Sequence, residues 1–405
     1  MNAEVKPEEL REAAHALRAV ARRTPVVHAN WLSEMFGHPV LLKCENLQRS
    51  GSFKLRGAYL RISRIPEPDR ERGVVAASAG NHAQGVALAA GQLGVTSVVY
   101  MPRTASLPKV EATRAYGAEV CLVGDTVEDA LAAAQAAAEE TGATLIHPFD
   151  HRDVILGQAT VGLEILEQVP DVASIVVPTG GGGLLAGVAS AVNVVKPSVA
   201  VIAAQASGAF TMQRSLAAGH PVALQGRPTT MADGIAVARP GELPLDLVEG
   251  VVRESVAVSE AEIAKALLHT LERGKLLAEP AGVVGVAALS HLELRDPTVV
   301  VLSGGNIDPL VLNKVIHHGL RAAGRFEALS VRLDDSPGAL AALLVLLAEQ
   351  ETNVVDVNHL RADPRLAVGE VEVTVVLEMR GPEHRAQVLA ALRSAGYRVH
   401  ESAGS

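Results

Sequence analysis

Through about residue 320, short Val- and Ile-rich runs alternate with Ala-rich stretches of helical spacing. "GVVAAS" precedes "NHAQGVALAAGQLG", "SVVYMP" precedes "KVEATRAYG", "SIVVPT" precedes "LLAGVASAVNVV", and "TVVVLS" follows near 300. This alternation predicts a parallel sheet with crossover helices, its strands buried on both faces. In such sheets function sits beyond the carboxyl ends of the strands. Four glycine-bearing loops fall there: "SGSFKLRG", "SAGNHAQG", "TGGGGLLAG" and "SGGN".

From 327 onward the pattern changes. Strand "ALSVRL", helix "SPGALAALLVLLAEQ", strands "NVVDVNHL" and "GEVEVTVVLEM", helix "HRAQVLAALRSAG" and strand "YRVH" give the βαββαβ order of a ferredoxin-like module. The expected fold class is therefore α/β with parallel sheets, followed by a smaller βαββαβ domain.

Composition narrows the partners. A chain of 405 residues exceeds one modest core and implies two or three domains. Its net charge of −9 is spread along the chain, with no basic run interleaved with aromatics, which excludes a nucleic-acid partner. The longest apolar run, "ALAALLVLLA", is too short to span a bilayer, and the acidic, amphipathic N-terminal stretch lacks the apolar centre of a signal peptide. Cys44 and Cys121 have no metal-type spacing and read as reduced core thiols of a soluble cytoplasmic protein.

The loops carry the candidate chemistry. Taken alone, Lys54 is an ordinary solvated lysine, but Ser50, Gly51 and Ser52 suit a tight turn and Phe53 offers a flat apolar face. A desolvated amine in that setting is a nucleophile toward aldehydes. Gly180, Gly181, Gly182 and Gly183 follow a strand and open a helix, so their N–H groups can surround a phosphate. The same string has GxGxxA spacing, but Gln205 stands where a dinucleotide site needs an acid, and no lysine follows as in a nucleotide P-loop. A nicotinamide oxidoreductase is thereby disfavoured. Ser78, Ala79, Gly80 and Asn81 offer a helix start to a carboxylate, whereas His82 reads by itself as a capping or packing residue. Ser303 adds a hydroxyl at a strand end.

Amine, phosphate cradle, carboxylate site and hydroxyl together suit pyridoxal phosphate and an amino acid. In this order, "SGSFKLRGA", "SAGNHAQG", "TGGGG", "TMADGIAV", "AEPAG" and "SGGN" resemble the threonine ammonia-lyase (threonine dehydratase) family of the tryptophan-synthase-β-like pyridoxal-phosphate enzymes, fold type II. "LDDSPGAL" and "ETNVVDVNH" resemble an ACT domain, an amino-acid-sensing unit. The resemblance implies a catalytic region over 1–322, with a smaller subdomain at about 46–150 inserted in the larger one, and an ACT-like domain over 327–405. It implies Lys54 and Ser78 as catalytic residues, with Phe53, Lys54, Asn81, Gly180 to Gly183 and Ser303 around the cofactor. Ser78, Ala79, Gly80, Asn81 and His82 would then hold the substrate.

The expected reaction takes L-threonine to 2-oxobutanoate and ammonia, with L-serine also accepted. An L-serine or 3-hydroxyaspartate ammonia-lyase, or a silent amino-acid-binding regulator, are the alternatives. Leu-Arg-Gly after Lys54, where sister families carry Asp-Arg, favours the dehydratase branch. Similar racemases carry a serine at the position of Ala79, so weak racemisation is expected. Relatives also place acidic cation ligands just after "VAVIAAQ"; Gln205 and Ser207 supply no carboxylate, so no divalent site is expected, while a monovalent ion held by carbonyls stays open. In the module, Asp335, Gly338 and Asn353 are the expected effector residues. ACT pairing implies a homo-oligomer, dimer or tetramer.

Overall fold

The computed structural model of the chain describes residues 4–361 and 366–401; the remaining positions, including 362–365 and 402–405 of the expected 327–405 module, lie outside the described residues. The chain divides into two compact units, Met1–Leu312 and Asn313–Ser405.

In the first unit the strands are β1 (Val26–His28), β2 (Val40–Cys44), β3 (Val74–Ala77), β4 (Ser97–Met101), β5 (Glu119–Leu122), β6 (Thr144–Leu145), β7 (Ser174–Pro178), β8 (Ala200–Ala206), β9 (Val252–Val258) and β10 (Thr298–Leu302). They form two sheets, ordered β1-β2-β10-β7-β8-β9 and β5-β4-β3-β6. Every residue of β2, β7, β8 and β10 is buried, as expected where helices cover both faces. Pairing is parallel throughout except at the edge, where β1 runs antiparallel to β2. That edge is only three residues long, and Arg253, Glu254 and Ser255 interrupt the valines of β9, so neither shows a strand period.

One cysteine departs from expectation. Cys44 is buried, and desolvation pushes its thiol up to about 12. Cys121 is only half-buried, because β5 is the outer strand of its sheet.

The four glycine loops follow β2, β3, β7 and β10, so they meet at the carboxyl ends of strands from both sheets. The helix Lys54–Ser63, which follows β2, packs against the helix Arg152–Gln168 with glycine set against backbone at the contact. A Cβ on Gly57 would lie 2.7 Å from the Val154 carbonyl oxygen, and one on Gly157 would lie 2.5 Å from Gly57 Cα. Beside this seam, buried Arg56 forks onto two carboxylates. Its Nε and Nη2 donate to Glu45 at 2.8 Å each, and its Nη1 donates to Glu164 at 2.6 Å. Buried Lys43 donates to Glu164 at 2.5 Å and to Gln168 at 2.8 Å. Fully hydrogen-bonded charges of this kind are tolerated in an interior.

The second unit has the predicted order. Strands β11 (Phe326–Asp334), β12 (Asn353–Leu360), β13 (Glu370–Glu378) and β14 (Arg398–Glu401) pair antiparallel in the order β12-β13-β11-β14, with the helices Ala339–Glu349 and Pro382–Ser394 between them in the chain. Val371, Val373, Val375 and Leu377 alternate inward with Leu343, Leu347, Val388 and Leu392 of the helices in one core cluster. No helix among the described residues is long and apolar enough to cross a membrane.

Candidate active site

Lys54 is the first residue of its helix, directly after Phe53. The turn before them needs Gly51, at φ +73°, where a Cβ would lie 2.1 Å from Asn306 Oδ1. The N–H of Phe53 donates to the Ser303 carbonyl at 3.2 Å, which ties the turn to the end of β10. Lys54 Nζ donates to the Pro148 carbonyl at 2.9 Å and lies 5.3 Å from the centre of the Phe53 ring. Burial pushes its amine down from 10.5 to about 8, against the opposing pull of Glu279.

The loop Gly180–Gly183 joins β7 to the helix Gly183–Val195. Gly182 has φ +97°, and a Cβ on Gly181 would lie 2.5 Å from the Phe149 ring. Among the described residues, the N–H groups of Gly180 to Leu185 have no protein acceptor. Six donors at the positive end of a 13-residue helix form a cradle for an anion.

A second helix start, Asn81–Leu93, follows β3. Ser78 Oγ accepts the N–H of Gly80 at 3.1 Å. Asn81 Nδ2 donates to Glu279 Oε1 at 2.5 Å, while its Oδ1 accepts from Asn306 Nδ2 at 2.8 Å. His82 is buried with its Nε2 at 2.8 Å from the Ile146 carbonyl; burial, with Lys54 nearby, pushes it down to about 3. It is a neutral side chain engaged in packing.

A cavity of about 530 Å³ is lined by Phe53, Lys54, Ser78, Ala79, Gly80, Asn81, His82, all four loop glycines and Ser303. Four loops far apart in sequence thus open into one space. Asp335, Gly338 and Asn353 belong to the second unit. Gly338, at φ +92°, precedes the helix Ala339–Glu349, Asp335 Oδ1 lies 3.6 Å from Arg361 Nη2, and Asn353 Nδ2 donates to Glu378 at 3.1 Å.

Sequence reasoning missed Glu279, Asn306, Lys109 and Asp233. Glu279 is buried at the cavity wall, and burial, reinforced by Asp233, pushes its carboxyl up from 4.5 to about 7. Lys109 Nζ pairs with Asp233 at 2.6 Å on the same wall. Three of these residues lie inside quoted motifs, "AEPAG", "SGGN" and "TMADGIAV", where the glycines drew the attention.

A family profile described as "Pyridoxal-phosphate dependent enzyme" matches residues 17–304. The chain belongs to this family. Among pyridoxal-phosphate-dependent enzymes it is similar to the L-threonine ammonia-lyase of Geobacter sulfurreducens, 47% identical over 96% of this chain and 98% of that one. The L-threonine ammonia-lyase of Thermotoga maritima is 45% identical over 97% of this chain and 98% of its own. Of solved structures, the processed form of threonine deaminase isoform 2 from Solanum lycopersicum has TM-score 0.72 and 35% identity, covering 78% of this chain and 95% of that one. Maize serine racemase has TM-score 0.73 and 34% identity, covering 79% and 99%. The residues present fit the cofactor of the family: unpaired N–H groups match a phosphate, a desolvated amine matches an aldehyde, and the Ser303 hydroxyl, 5% exposed, lies in the same cavity.

Proposed function

We propose that this pyridoxal-phosphate enzyme is an L-threonine ammonia-lyase that releases 2-oxobutanoate and ammonia and also accepts L-serine. The observation that carries the reading is the identity of 45–47% to two L-threonine ammonia-lyases over nearly the full chain. The convergence of Lys54, the Gly180–Gly183 cradle and the Ser78–Asn81 helix start on one cavity supports it.

Pyridoxal phosphate, when bound, supplies an electron sink for the bond broken at Cα. Lys54 would hold the cofactor through its amine, and the same amine, its proton affinity lowered by burial, would serve as the base for the Cα proton. Gly180 to Gly183 bind the phosphate. The N–H groups at Ser78 to Asn81 would orient the substrate carboxylate, with Ser78 as a catalytic hydroxyl and Asn81 beside the cofactor ring. Ser303 would offer the ring nitrogen a neutral hydroxyl rather than a carboxylate, which favours loss of the β-group over transamination. Over the whole reaction the β-hydroxyl leaves as water, a water returns, and nitrogen leaves as ammonia.

Residues 327–405 form an ACT-like regulatory domain in this reading, with Asp335, Gly338 and Asn353 at an amino-acid effector site, and 1–322 form the catalytic region. The βαββαβ order supports the assignment. The protein works as a homo-oligomer, dimer or tetramer, in the cytoplasm, where its two free cysteines suit a reducing compartment. Steady-state release of 2-oxo acid from L-threonine, L-serine and 3-hydroxyaspartate tests the function; a clear preference for 3-hydroxyaspartate would overturn it.

A further inference from the structure

Gln205, the penultimate residue of β8, is fully buried. Its Nε2 donates to the Thr179 carbonyl at 3.3 Å and to the Ala209 carbonyl at 3.2 Å, and its Oε1 accepts the N–H of Met212 at 2.9 Å. One amide thereby joins the end of β7, the turn Ser207–Ala209 and the start of the helix Met212–Ala218. Two of these points touch the glycine cradle. Thr179 immediately precedes Gly180, and the Met212 methyl lies 2.7 Å from where a Cβ on Gly182 would stand.

The orientation of the amide is fixed by its partners. Reversed, its oxygen would face two carbonyl oxygens and its NH2 group would face an N–H. Beside it, Thr211 is buried and its Oγ1 has no hydrogen-bond partner, so a further oxygen in the same turn goes unsatisfied. Two carbonyl oxygens converging on a positive pole, with a hydroxyl nearby, are hard-cation ligands. Here the positive pole is the NH2 group of a glutamine.

We infer that Gln205 is a positioning residue for the Gly180–Gly183 cradle and stands in for a bound cation, so that the native protein needs no metal ion behind the cradle. The cofactor arm of the test rests on the cradle reading given above; the cation arm does not.

Gln205→Glu keeps the length of the side chain and replaces the donor group by oxygen, so the carbonyls of Thr179 and Ala209 then face a carboxylate. The variant, purified with calcium and then stripped with a chelator, should melt at a lower temperature than the native protein. Added potassium, magnesium or calcium should restore it, while the native protein should not respond to the same ions. Titration with pyridoxal phosphate, followed by visible absorbance, should show about a tenfold weaker affinity in the stripped variant, recovered with the cation. Gln205→Met, close in volume but unable to ligate, should lose melting temperature with no rescue by any ion. A native protein stabilised by a cation as strongly as the variant, or a Glu variant indifferent to every ion, overturns the inference. Cation rescue of melting with no change in cofactor affinity overturns the link between Gln205 and the cradle.

Discussion

Asn81 donates its side-chain N–H to Glu279 across 2.5 Å, joining residues 198 positions apart at the starts of two helices. Asn306 completes the chain by donating to Asn81 Oδ1 at 2.8 Å and to the Ser50 carbonyl at 2.7 Å, so the turn before Lys54 and the rim of the cavity form one polar network. Its ionisable member is Glu279.

Burial raises the Glu279 carboxyl to about 7, above its ordinary 4.5. A folded value above the unfolded one gives stability that is fully present below 4.5 and is lost as pH rises through 7. Glu279→Gln should remove that loss. Relative to native protein, the variant should gain about 3 kcal/mol between pH 4 and pH 8 in denaturant unfolding. Equal differences at both pH values would show that the carboxyl titrates alike in the folded and unfolded chain.

Lys54→Ala should fold but lose ammonia release from L-threonine by about a hundred- to ten-thousandfold or more. Its mixture with pyridoxal phosphate should show no protein-linked visible band. In native protein the rate of cofactor capture should rise through pH 8 rather than 10.5, since the amine is held down at about 8. Borohydride trapping and peptide mapping that found the cofactor on another lysine would displace the assignment.

Arg56→Met strips the shared cation of that fork from Glu45 and Glu164 and leaves Glu45 buried without its bidentate partner. Unfolding in urea should show a loss of about 3–5 kcal/mol. Arg56→Lys should recover little, because an ammonium cannot span both carboxylates. A loss below about 1 kcal/mol would mean that Lys43 alone carries the cluster.

Ala79 lines the cavity and carries no hydroxyl, so on the proposed reading the second face of the substrate lacks a proton donor there. Chiral chromatography after incubation with L-serine should find pyruvate with little D-serine, and Ala79→Ser should raise the D-serine share. Abundant D-serine from the native protein would refute the role of this position.

Calorimetry on the full-length protein with each common amino acid tests the sensing role of the second unit. One should bind and change the rate or the substrate affinity, with coupling of about 1–3 kcal/mol, and Asp335→Ala should weaken that binding. Absence of binding by every amino acid would leave the domain with a stabilising role.

The glycine loops were legible because their chemistry is local: a strand, a tight turn and a helix start are adjacent in sequence, and each announces an anion or amine site. The βαββαβ order was legible for the same reason, since Val371 to Leu377 alternates over a full strand. Glu279 was not, and Gln205 was legible only as a missing carboxylate. A glutamate before a proline and a glutamine at a strand end acquire their roles only when Asn81, and the carbonyls of Thr179 and Ala209, arrive from elsewhere in the chain. β1 escaped because three residues are too few to show a period, and its partner β2 determines it.

Where Gly57 meets Gly157 backbone lies directly against backbone, with the buried Gln158 amide beside it. The two helices at that contact can part only if the whole seam opens, so their central amides should exchange with deuterium as one slow cooperative unit. The lysine is therefore mounted on a helix held by close backbone contact. A protein that has begun to fray at its edge strands should still hold its amine in register, and should lose catalysis only when it unfolds.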